Sequence, residues 1–243
     1  MAALRNLSLG LGLGRRPVRS RVLVFHRLTE RAARRLLPIG LEPRLIDGTA
    51  IATTSYARIG SLLPGRGSGT HHLAYRIAAR SEDGPVTWVA RRASSSRLGA
   101  GLSEKVLRRA HGRASFQIEK DAFELRLRAR AGGREELFLH VEVGERAGSV
   151  FSSPEAVRLF LEDAGTVQPP DALAPETDRI DARGPFGPEP LAVHACRAAF
   201  LEEECGAEAR LDGAWRLVPR RLQPVRRSEF ARRGVPTGGF AAT

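Results

Sequence analysis

Between His71 and Arg80 the side chains alternate with a period of two. Leu73, Tyr75 and Ile77 share one face, while His72, Ala74, Arg76 and Ala78 share the other. The same period returns at 123–128, where Phe123, Leu125 and Leu127 alternate with Glu124, Arg126 and Arg128. Such alternation fits a sheet packed on one side and wet on the other. Further strands are expected at 21–28, 49–58, 86–93, 114–119, 137–143, 191–198 and 215–222. Few helices separate them, so parallel βαβ repeats are not the pattern. The order fits one α+β domain with a mainly antiparallel sheet closing into a barrel-like structure with flanking helices.

Helix signals are local and clear. Thr29 can cap TERAARRLL, and Ser152-Ser153-Pro154-Glu155 offers a serine cap followed by proline in the first turn. A third helix is expected over 96–110, with Leu98, Leu102 and Val106 forming its stripe. Residues 166–188 read as a proline- and acid-rich loop. We divide the chain into an extension at 1–19, one domain at 20–225 and a tail at 226–243 without apolar periodicity.

Composition narrows the chemistry. In 243 residues with 42% apolar side chains a sizeable core can form. The formal charge is +12, and of 39 basic residues only Lys105 and Lys120 are lysines. Arginine stays protonated, so only those two positions can carry imine chemistry. The excess charge admits an arginine-rich polyanion or nucleic-acid-binding module. The arginines, however, are scattered as pairs with acids between them, and aromatics are only 6%, so no stacking platform is evident.

Cys196 and Cys205 form no CxxC or ligand quartet, and no metal is assigned. A disulfide between them is the alternative to two reduced thiols. The glycine-rich loop at 62–70 lacks the Gly-Lys-Ser/Thr ending of a P-loop, and no cofactor is assigned. The glycine-interrupted first 14 residues run into Arg15-Arg16 rather than a small-residue cleavage site. No run approaches about 18 apolar residues. A cytoplasmic protein without a membrane partner is expected.

The stretch Leu36–Ala52, LLPIGLEPRLIDGTAIA, adds a distinctive grammar. Two prolines restrict the residues before them, and Asp47-Gly48 supplies a tight turn into a strand. Preceded by RVLVFHRL and a short helix, it resembles the N-terminal half of the uncharacterised YqjF-like family, related to acetoacetate decarboxylase. RRASSSRLGAGLSEKVLRRAHGRASF and GSVFSSPEAVRLFLEDAG resemble later family segments. The resemblance implies a closed, mainly antiparallel barrel with a central pocket. The decarboxylase's imine-forming lysine pair would fall near Ala110-His111-Gly112-Arg113, where no lysine stands. Its pocket glutamate would fall on HHLAYRI, which carries His71 and His72 instead.

The expected ligand is therefore a small organic acid or another anion, bound without the decarboxylase's lysine-imine chemistry. His72 and Arg76 are two pleats apart on one face. If that face lines the barrel they would bind a carboxylate, Arg76 by its fork and His72 as donor or proton carrier. Facing outward, the same residues would simply be wet. His111 from the next strand and His26 from the first would join them. No catalytic residue is assigned, so a binding protein and an enzyme of unassigned reaction both remain. A lyase using Lys105, beside Arg108 and Arg109, is a minor alternative. Lys120, in Glu119-Lys120-Asp121, reads as a hairpin-turn residue.

Overall fold

Nine strands close on themselves in the computed structural model, which describes residues 18–59, 69–96, 111–144, 148–163, 165–167 and 186–219. Lys105, most of the glycine-rich loop, the helix expected at 96–110 and the tail lie outside the described residues. The strands are β1 (Val18–Leu28), β2 (Glu42–Pro43), β3 (Leu45–Ile46), β4 (Thr49–Ile59), β5 (Thr70–Ser81) and β6 (Gly84–Ser94). They continue with β7 (His111–Lys120), β8 (Glu124–Ala131), β9 (Arg134–Val143), β10 (Gly165–Val167), β11 (Phe186–Ala198) and β12 (Ala209–Pro219). The helices are α1 (Glu30–Leu36), α2 (Pro154–Asp163) and α3 (Ala199–Cys205).

Around the barrel the order is β6-β7-β8-β9-β11-β12-β1-β4-β5, and β5 pairs back onto β6. Every neighbouring pair is antiparallel except β6 and β7, where Arg92 to Ser94 run parallel to His111 to Arg113. Closure removes the exposed edges that an open sheet of this size would leave. Short β2 and β3 pair with β5 and β4, and Asp47 (φ 49°) and Gly48 (φ 75°) make the left-handed turn from β3 into β4.

Two cores follow from strand parity. The inner core takes Val22 and Val24, Ala52 and Tyr56, and Leu73, Tyr75 and Ile77 from β1, β4 and β5. It also takes Leu127, Leu139, Leu191 and Ala214 from the far wall. Each fully buried leucine here contributes roughly 1.5–3 kcal/mol. The outer core covers the opposite face of β1, β4, β5 and β12, where Leu23, Phe25, Ile51 and Trp215 meet Phe151, Val157 and Phe160. α2 supplies two of these, and Ser153 Oγ caps it by accepting from Ala156 N at 3.1 Å.

α1 and α3 close one end of the barrel. Thr29 Oγ1 accepts from Ala32 N at 3.1 Å, and Ala32 and Ala33 are buried against the inner core. α3 turns Leu201 and Cys205 inward, with Phe200 against Tyr75 at 5.0 Å between ring centroids. The proline-rich segment differs from the loop expected there. Residues 165–167 pair with β6, and β11 begins at Phe186 rather than 191. Pro188 and Pro190 fit because ladder pairing with β9 starts only at Leu191, so their missing N–H groups leave no gap on that side.

Candidate functional site

The end of the barrel opposite α3 holds the candidate site. Even-numbered residues of β4 point inward, so Tyr56 is followed toward the mouth by Arg58. On antiparallel β5 the inward residues are odd, which puts His71 at the same level. β7 contributes Phe116, Ile118 and Lys120 at alternate positions, β1 Ser20 and Val22, and β12 Arg216. Together they enclose a cavity of about 520 Å³.

Its lining is graded. Val22, Tyr56, Val141 and Leu191 are buried at the base. Half-buried Phe116, Ile118 and Leu125 form walls, and exposed Arg58 and Lys120 stand at the mouth with Phe123 and Glu124. The charges are unequally matched. Arg216 pairs with Glu189 at 2.6 Å, and Glu124 with Arg126 at 2.8 Å and with His140 at 2.5 Å. Among the described residues, Arg58 and Lys120 form no ion pair. The mouth therefore carries surplus positive charge.

One polar pair interrupts the apolar wall. Tyr56 Oη and His71 Nδ1 are 2.9 Å apart, and the His71 ring stacks on Phe116 with centroids 5.5 Å apart. Ser95 fixes the backbone of His71, with Oγ accepting from His71 N and Ser95 N donating to His71 O, each at 2.9 Å. Burial pushes the Tyr56 phenol up to about 12, against the opposing pull of Arg58. Burial first, then Arg58, lowers the His71 pKa below its ordinary 6.5. Both groups are uncharged at neutral pH.

Of the four residues singled out from the sequence, the three whose side chains are described, His26, His72 and Arg76, do not all share one face. His26 is inside the barrel, 6% exposed, with Nε2 3.3 Å from Thr54 Oγ1. Burial lowers its pKa to about 4. Arg76 and His72 lie on the outward face of β5. Arg76 is 4% exposed and donates from Nε to Ser55 Oγ at 3.2 Å, while His72 Nε2 is 2.8 Å from Thr70 Oγ1. His111 opens β7 opposite Arg92, and its side chain lies outside the described residues. Sequence reasoning missed Arg58, His71 and Arg216 as a group, and Lys120 as a lining residue. The parity of Phe116, Ile118 and Lys120 was the available signal.

Cys196 and Cys205 are free thiols, and burial pushes Cys196 up to about 12. No cluster of three or more His, Cys, Asp or Glu side chains suited to a metal occurs among the described residues. No helix there is long and apolar enough to cross a membrane.

No family model and no curated protein matches the sequence. Solved structures do match the barrel. A structure of acetoacetate decarboxylase aligns with a TM-score of 0.52 at 6% identity, over 82% of this chain and 81% of that one. The fold is acetoacetate decarboxylase-like. The enduracididine biosynthesis enzyme MppR, complexed with the condensation product of pyruvate and imidazole 4-carboxaldehyde, aligns with a TM-score of 0.50. Identity is 16%, over 86% of this chain and 88% of MppR. At these identities the likeness concerns the fold, and function in this acetoacetate decarboxylase-like barrel has to be argued from its own residues.

Proposed function

We propose that the barrel mouth binds a small organic acid as its carboxylate, held by Arg58 and Lys120, without decarboxylation through a lysine imine. The observation that carries this reading is the pair of cations that form no ion pair among the described residues, at the mouth of a cavity partly walled by Phe116, Ile118 and Leu125. Arg58 can offer a carboxylate two parallel N–H donors, and Lys120 a point charge. The MppR complex with a pyruvate condensation product supports the idea that such a barrel accommodates an organic acid. Membership of the YqjF-like family, with the reaction of the decarboxylase set aside, accords with the absence of lysine at 110–113.

A second reading is favoured by one observation: Lys120 lines the cavity. It would make the protein a lyase acting through Lys120 rather than Lys105. The polyanion reading is less well supported, because many described arginines face acids. Arg34 pairs with Glu30 at 2.9 Å, Arg128 with Glu135 at 3.0 Å and Arg197 with Glu202 at 3.1 Å.

Calorimetric titration with monocarboxylates tests the proposal. Arg58→Ala and Lys120→Ala should each weaken binding about tenfold, within the range for a charge-assisted hydrogen bond. Unchanged affinity in both variants would refute it. Steeply salt-dependent heparin binding, with no carboxylate binding, would favour the polyanion module instead.

A further inference from the structure

We infer that the ligand is a monocarboxylic acid with an extended apolar tail, bound tail-inward. This rests on the carboxylate reading above and adds the chemistry and direction of the rest of the molecule. Among the described lining residues, the cations without an ion pair lie at one end of the cavity. Arg58 and Lys120 stand at its mouth, whereas Val22, Val141 and Leu191 form the buried base. A second carboxylate or a charged amine placed against that base would lose its hydration without gaining an unengaged charged partner, because Arg216, beside Val22, is already paired with Glu189. A dicarboxylate or an amino acid is thus disfavoured. Tyr56 and His71, polar groups of the inner wall, already bond to each other.

Size points the same way. A cavity of about 520 Å³ falls within the roughly 300–1,000 Å³ typical of sites for drug-sized ligands. An acetate-sized or pyruvate-sized acid at the mouth would leave the walls of Phe116, Ile118 and Leu125 uncovered. A hydrocarbon tail covers them and gains the transfer free energy of each buried methylene. The grading of the lining fixes the orientation: carboxylate at the mouth, tail toward the base.

The test is a calorimetric series of straight-chain carboxylates from acetate to decanoate, each below its micelle concentration, with the matched alcohols beside them. Affinity should tighten by up to about fourfold per added methylene and then level off when the base is reached. Ile118→Trp, at a half-buried wall position, should make the plateau arrive at a shorter chain. If affinity is flat or falls with chain length while Arg58→Ala still weakens acetate binding, the tail is refuted and the carboxylate site stands. If no carboxylate binds, or alcohols bind as tightly as acids throughout, the carboxylate site itself fails, and this inference with it.

Discussion

Tyr56 Oη sits 2.9 Å from His71 Nδ1, and Arg58 lowers the proton affinity of both members of this pair. Burial is the larger influence on each. In a proton NMR titration His71 should therefore titrate below 6.5. Arg58→Ala should raise its midpoint toward that value without reaching it, because the burial contribution remains. A midpoint that does not move in Arg58→Ala would show that the two side chains are farther apart than described.

His26 predicts an acid-sensitive stability. Its folded pKa of about 4 lies below the ordinary 6.5, so the unfolded chain binds a proton more readily between those values. The stabilising contribution is complete above pH 6.5 and is lost as the pH falls through 4. The difference is about 3 kcal/mol at full effect. Urea unfolding at pH 7 and pH 4.5 should show a smaller loss in His26→Gln than in the wild type. Equal losses would remove His26 as the cause.

Asp212 predicts the strength of one anchor on the outer face. Its carboxylate accepts from Ser149 N at 3.0 Å, Ser149 Oγ at 2.6 Å and Val150 N at 3.2 Å. These bonds bring Phe151 onto Phe25, ring centroids 4.5 Å apart. Asp212→Ala should cost about 1–3 kcal/mol in chemical denaturation. Gly148→Ala should also destabilise, because its Cβ would collide with the Asp212 carboxylate and stand 2.9 Å from the Asp212 carbonyl oxygen. Wild-type stability in both variants would contradict the anchor.

Lysine chemistry can be tested directly. After incubation with acetoacetate or pyruvate and borohydride, the intact mass should be unchanged. A reduced adduct on Lys120, lost in Lys120→Ala, would overturn the non-covalent reading and establish the imine-forming competence that a lyase needs.

The barrel was legible because its strands advertise their period. Leu73, Tyr75 and Ile77 share the inner face as their spacing required, and Thr29 and Ser153 cap the helices that follow them. The site was less legible, for a physical reason. Period-two alternation says which side chains share a face, but not which face lines a cavity when both are covered. The outer face of β5 is itself packed, so Arg76 is buried there, and it is His71, one residue before His72, that faces the pocket. Lys120 read as a turn residue because it precedes Asp121, yet it is also the last inward position of β7. α3 escaped notice because seven residues give too little periodicity, although Leu201 and Cys205 are spaced one helical turn apart and Gly206 (φ 53°) follows them.

The central claim is that the charge on the ligand is read by Arg58 and Lys120. The most direct measurement compares hexanoate with 1-hexanol on the wild type and on the Arg58→Ala/Lys120→Ala double variant. The wild type should prefer the acid by at least about tenfold, and the double variant should bind the two within about twofold of each other. An undiminished preference for hexanoate in the double variant would contradict the account.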